Sequence, residues 1–122
     1  MNAKKILVVD DEPAILMAFK KLLVRPGIVV ETSESLESAK EMVMSGSYDA
    51  VIADLRLSGT MDQEGFELIK ITKAKSMAIK VALITAYGSH GIELLARKLG
   101  ADFYFEKPFS ASNLEQIIQS IQ

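Results

Sequence analysis

Short, continuous apolar runs alternate along the chain with longer segments in which apolar residues recur every three or four positions. Ile6-Leu7-Val8-Val9, Ala50-Val51-Ile52-Ala53 and Val81-Ala82-Leu83-Ile84 are the clearest runs. Apolar runs of this length, bounded by turn residues, suit strands buried on both faces. They predict strands over Lys4–Val9, Tyr48–Asp54 and Lys80–Thr85, with a weaker strand over Ile28–Thr32 and a last one over Ala101–Phe105.

The intervening segments carry helical spacing. Ile15, Leu16, Phe19, Leu22 and Leu23 follow Pro13, a residue suited to the first turn of a helix, and Arg25-Pro26-Gly27 stops that helix. Ser33 or Ser35 is placed to cap a second helix that ends at Gly46. A third helix is predicted over Gly65–Ser76 with Phe66, Leu68, Ile69 and Ile71 as its apolar positions. Ser89 caps a fourth, bearing Ile92, Leu94, Leu95 and Leu99 and stopped by Gly100. Ser110 or Ser112 caps a fifth, with Leu114, Ile117, Ile118 and Ile121 facing inward.

Strict strand–helix alternation implies one α/β domain over residues 1–122, a doubly wound five-stranded parallel sheet with helices on both faces. A chain of 122 residues can bury such a core without staples. No cysteine is present, so disulfides and thiolate metal sites are excluded. A net charge of −2 gives no global attraction to nucleic acid or an anionic membrane, and no apolar stretch reaches the length of a span. A cytoplasmic protein is expected, with neither direct nucleic-acid binding nor membrane contact.

Open α/β sheets place their sites at the carboxyl ends of the strands. Asp10 and Asp11 follow the first strand, Asp54 ends the third, Thr85 the fourth, and Lys107 follows the fifth. Three carboxylates at one edge repel one another, and a hard divalent cation such as Mg2+ removes that repulsion. A carboxylate beside a bound cation and a lysine is suited to phosphoryl transfer, the aspartate acting as nucleophile. Lys107 would neutralise phosphoryl oxygens, and Thr85 would donate its hydroxyl to another of them.

The chain resembles, over its full length, the response-regulator receiver domain of two-component signal transduction. Val8-Val9-Asp10-Asp11, Asp54-Leu55-Arg56, Ile84-Thr85-Ala86 and Glu106-Lys107-Pro108-Phe109 carry the resemblance, in order and at the ends of four strands. It implies a flavodoxin-like sheet in the order 2-1-3-4-5. It implies further that Asp54 accepts a phosphoryl group from a sensor histidine kinase or phosphotransfer protein, as one step of a phosphorelay. Mg2+ would be held directly by Asp11 and Asp54, mainly through water by Asp10, and by the backbone carbonyl of Arg56. Lys107 would contact the phosphoryl group, and the Lys107–Pro108 bond would be cis. Thr85 and Tyr104 would switch together and alter the surface of helix four, strand five and helix five, read by an output domain, a partner or a second copy. Beyond its own phosphoryl transfer and autodephosphorylation, no enzymatic activity is expected.

Several features depart from the family pattern. Ser58 stands where a proline is usual, and Met61-Asp62-Gln63-Glu64-Gly65 spreads an ordinarily compact Met-Asp-Gly, lengthening the loop. Arg56 and Tyr87 are bulky at two positions that tune phosphate lifetime in relatives, so slower autodephosphorylation than in chemotaxis-type receivers is expected; Ala86 is small, as donor access requires. Ala96-Arg97-Lys98-Leu99-Gly100-Ala101 and Glu106-Lys107-Pro108-Phe109 look similar to receivers attached to AAA+ transcription activators, whereas a fifth helix without Lys or Arg weighs against the dimer of winged-helix regulators. The chain is either a single-domain regulator or the front of a longer protein.

Taken singly, each residue has a local reading. Asp10-Asp11 suits a helix cap, Asp54 a turn, Thr85 a strand end, Lys107 a solvated loop and Tyr104 core packing, while His90 reads as a surface residue. Three rival functions are a haloacid-dehalogenase-type phosphatase, a flavodoxin-like ligand binder and a degenerate receiver serving only as an interaction module. Glu12 at the third position of the acidic run disfavours the phosphatase, and Gly88 and Gly91 make no phosphate-binding glycine motif.

Overall fold

The computed structural model describes residues 3–56 and 63–122. Ten elements alternate: β1 Lys4–Val9, α1 Pro13–Leu23, β2 Ile28–Ser33, α2 Leu36–Ser45, β3 Ala50–Asp54, α3 Glu64–Lys75, β4 Lys80–Thr85, α4 His90–Leu99, β5 Phe103–Glu106 and α5 Ala111–Ile121. All pairings in the sheet are parallel, in the order β2-β1-β3-β4-β5. Ser58, Met61 and Asp62 of the expected lengthened loop lie outside the described residues.

Alternate residues of the buried strands supply separate cores. Ile6, Val8, Ile52 and Ile84 face Leu16, Phe19 and Leu23 of α1 and Leu114, Ile117, Ile118 and Ile121 of α5. Leu7, Val9, Val51 and Ala53 point the other way, against α2 and Leu68 of α3. Val81 and Leu83 complete that second face with Phe66, Ile69 and Ala96. Full burial of one such aliphatic chain contributes about 1.5–3 kcal/mol, so these faces fix which side of each strand points where.

Serine caps decide where three helices begin. Ser35, not Ser33, accepts from the Ser38 amide at α2, and Ser89 accepts from Ile92 at α4. At α5, Ser110 and Asn113 form a reciprocal capping box, which leaves Ser112 inside the helix. Gly100 ends α4 with φ 117°, the left-handed conformation that favours glycine.

Several sequence expectations are corrected. Strand three begins at Ala50 rather than Tyr48, whose hydroxyl instead donates to Glu31 Oε1 at 2.5 Å. Strand five runs from Phe103 to Glu106 rather than from Ala101. Leu22, Leu94 and Leu95, which belong to the apolar positions of α1 and α4, are exposed, at 55%, 56% and 41%. On α4 only Ala96 is buried, and Ile92 and Leu99 pack partly against the core. Lys73 takes an interior position instead: its ammonium donates to Asp102 Oδ2 (2.8 Å) and to the carbonyls of Ile79 (2.6 Å) and Met77 (3.2 Å). Asp102 Oδ2 also accepts from the Val81 amide at 2.9 Å, so the pair ties the starts of β4 and β5 together.

Gly65, at the start of α3, lies directly on the end of β3. A Cβ there would stand 2.7 Å from the Asp54 carbonyl oxygen and 2.8 Å from Leu55 Cα, both backbone atoms. Gly65→Ala should therefore lower stability by about 1–3 kcal/mol, as overpacking does. Urea unfolding would show a lower midpoint at unchanged slope. A midpoint equal to wild type would contradict the close approach.

Candidate functional site

Sheet register builds the site. Val9 is paired with Ala53, Asp54 with Ile84, and Thr85 with Glu106. The residues one step beyond these pairs, Asp10 and Lys107, therefore meet Asp54 at one edge. Asp10 is held by its amide, which donates to the Ser33 carbonyl at 3.1 Å, and is 3% exposed. The Lys107 amide donates to the Thr85 carbonyl at 2.9 Å, and its peptide bond to Pro108 is cis, as the resemblance implied.

Lys107 is shared between two carboxylates. Its ammonium stands 3.3 Å from Asp54 Oδ2 and 3.4 Å from Asp10 Oδ2. Asp10 Oδ1 accepts from the Glu12 amide at 2.9 Å, so its expected helix-entry role coexists with the ion pair. The cap position of α1 itself is Glu12, which makes no side-chain cap bond. Asp10, Asp11 and Glu12 bring their carboxylate oxygens within 4.8 Å of one another. Asp54 Oδ1 accepts a long 3.5 Å bond from the Arg56 amide.

Burial raises the Asp54 pKa above the usual carboxylate value; Lys107 opposes the shift and Asp10 adds to it. Burial alone would lower the Lys107 pKa, but Asp54 and Asp10 outweigh it and hold the ammonium above its ordinary value. A cleft of about 270 Å³ opens over this group, lined by Asp11, Glu12, Ile15, Asp54, Arg56, Ala86, Tyr87 and Lys107. The Arg56 guanidinium stacks on the Tyr87 ring with 4.0 Å to the centroid, forming one wall.

The remaining expected residues sit one layer away. Thr85 is fully buried, and its Oγ1 accepts from the Tyr87 amide at 2.9 Å, which turns the hydroxyl toward the β4–α4 loop. Tyr104 packs partly against the α3–α4 core, and its hydroxyl donates to Glu106 Oε2 at 3.2 Å. Burial and the Glu106 carboxylate push its pKa up. Sequence reasoning named Asp10, Asp11, Asp54, Arg56, Thr85, Tyr104 and Lys107. It missed Glu12 as a member of the acidic group, although adjacency in the Asp-Asp-Glu run is a signal for it. It also missed Glu106, whose link to Tyr104 follows from their i, i+2 placement on one strand face.

The model of the response regulator receiver domain matches residues 6–119. The chain belongs to that family. It is 30% identical over 118 residues to the response regulator protein PilR of Pseudomonas aeruginosa, covering 97% of this chain and 26% of that protein. It is 33% identical over 114 residues to the transcriptional regulatory protein TcrA of Mycobacterium tuberculosis, covering 93% of this chain and 44% of that protein. The chain thus spans less than half the length of these curated relatives. Among solved structures, a response regulator receiver domain from Clostridium thermocellum superposes with a TM-score of 0.83 at 32% identity, over 97% of this chain and 94% of that one. A Burkholderia pseudomallei response regulator, solved with a phosphorylated aspartic acid and a calcium ion, gives 0.83 at 25% identity, over 98% of this chain and 66% of that one.

A raised carboxylate pKa means the folded chain binds that proton more tightly than the unfolded chain. Ionised Asp54 therefore costs stability, and the cost sets in as pH rises through the carboxylate range. At neutral pH in chelator, Asp54→Asn should melt higher than wild type, by about 2–5 °C. The gap should close as pH falls through the carboxylate range. A variant that melts lower at neutral pH would contradict this charge balance.

Proposed function

We propose that this chain is a phosphorylation-controlled receiver in which Asp54 is the phosphoacceptor. The observation that carries the reading is the half-buried Asp54 facing the buried Asp10, with one lysine shared between them. Asp54 attacks phosphorus in phosphohistidine of a sensor kinase or phosphotransfer protein. A P–O bond forms, the P–N bond breaks, and imidazole leaves.

The donor set suits a hard cation: all its ligand atoms are oxygens, and Lys107 and Arg56 together do not balance Asp10, Asp11, Glu12 and Asp54. Asp11, Asp54 and the Arg56 carbonyl would hold Mg2+ directly, with Asp10 acting mainly through water. When bound, Mg2+ supplies positive charge to the phosphoryl oxygens. Lys107 stays protonated through neutral pH and is placed to contact those oxygens once one carboxylate releases it.

Thr85 then turns from the Tyr87 amide toward the phosphoryl group, and Tyr104 moves with it, biasing an existing equilibrium. The surface of α4, β5 and α5 changes and is read by an output domain, a separate partner or a second copy. The exposure of Leu94 and Leu95 on α4 supports such a contact surface. A receiver that takes its phosphoryl group from a sensor kinase works in the cytoplasm, and that location belongs to this proposal; among the described residues no helix is long and apolar enough to cross a membrane.

Intact-mass spectrometry after incubation with Mg2+ and acetyl phosphate tests the reading. One phosphoryl group should be added to wild type and none to Asp54→Asn or to wild type in chelator. Absence of the adduct, where a known receiver is labelled, would favour the degenerate reading. The Arg56–Tyr87 wall should also slow water attack on the acyl phosphate. Its half-life is expected to exceed that of a chemotaxis-type receiver followed in parallel, and to shorten in Tyr87→Ala; a half-life shorter than that reference overturns this.

A further inference from the structure

The β4–α4 loop, residues 86–89, is held at both ends. At its start Thr85 Oγ1 accepts from the Tyr87 amide. Near its end the Tyr104 hydroxyl occupies the space that a side chain at position 88 would need. A Cβ on Gly88 would lie 2.0 Å from the Tyr104 hydroxyl oxygen and 2.5 Å from Glu106 Oε2. Real Cβ atoms do not approach that closely, so this placement of Tyr104 requires glycine at 88. Gly88 has no positive φ, so space rather than backbone conformation sets the requirement.

We propose that Gly88 and Glu106 form a seat for the Tyr104 hydroxyl and thereby set the resting position of the switch. Gly88 provides the notch. Glu106 is exposed and accepts the hydroxyl hydrogen bond at the protein surface, so it holds the phenol outward. Glu106 immediately precedes Lys107, and Gly88 lies three residues after Thr85. The seat therefore links the two strand ends that carry the phosphoryl contacts. Both are positioning residues that act through Tyr104 and touch no reacting atom. Gly88→Ala places a methyl group against the far end of a rotatable side chain, not against backbone. It should fold and expel Tyr104 from the notch.

The consequence for phosphorylation rests on the receiver reading; the position of Tyr104 does not. Fluorine NMR of the chain labelled with 3-fluorotyrosine reads that position directly. Its three tyrosines give three resonances, and Tyr104→Phe assigns one of them. Gly88→Ala and Glu106→Ala should each move the Tyr104 resonance and leave that of Tyr48 in place. Glu106→Gln, which keeps an acceptor oxygen, should stay near wild type. Without the outward hold, Glu106→Ala should take phosphate from acetyl phosphate about two- to fivefold faster, the worth of one exposed hydrogen bond. A Tyr104 resonance unmoved in both alanine variants would overturn the seat. A moved resonance with an unchanged rate would overturn its control of the switch. Absence of any adduct on wild type would instead count against the receiver reading and leave the NMR result to judge the seat alone.

Discussion

Charge compensation at the carboxyl edge of the sheet is the constraint on which the rest depends. Parallel register delivers Asp10 and Asp54 side by side, both largely out of water. Buried like charges destabilise a fold unless something positive is shared between them. Lys107 is that group, carried into place by the end of β5 and the turn at Pro108. The arrangement keeps the Asp54 carboxylate, the proposed phosphoacceptor, ionisable inside a cleft at a cost in stability. The apolar faces of β1, β3 and β4 offset that cost.

The same economy shapes the periphery. α1 and α5 bury conventional apolar stripes and anchor one face of the sheet. α4 buries only Ala96 fully, so the helix beside the β4–α4 loop is the least anchored of the set. Helices with few buried contacts are those that move at low free-energy cost. Placing the loosest helix between Thr85 and Tyr104 suits the proposed change of the α4–β5–α5 surface.

Much of the architecture was legible in the chain. Four-residue apolar runs located the central strands because burial on both faces leaves no polar alternative. Serines before apolar repeats marked helix starts, though choosing Ser35 over Ser33 and Ser110 over Ser112 needed the hydrogen bonds themselves. Helical spacing could not tell that Leu22, Leu94 and Leu95 lie outside the contact arc, because periodicity gives a stripe and not its partner. Lys73 was illegible for the opposite reason. A lysine reads as surface until its partner Asp102 and two carbonyls, distant or non-helical in sequence, are seen around it. At the site, strand-end position alone gathered Asp10, Asp54, Thr85 and Lys107. The Arg56–Tyr87 stack and the fit of Tyr104 at Gly88 depend on loop conformation, which no residue pattern specifies.

Calorimetric titration of the chain with Mg2+, beside Asp11→Asn, is the most direct test of the compensation account. An acidic group that stays net negative beside Lys107 should bind a single Mg2+ in wild type, and the variant, having lost a carboxylate, should bind it far more weakly. Equal binding by the two proteins, or no binding by wild type, would contradict the proposal that this edge holds a divalent cation.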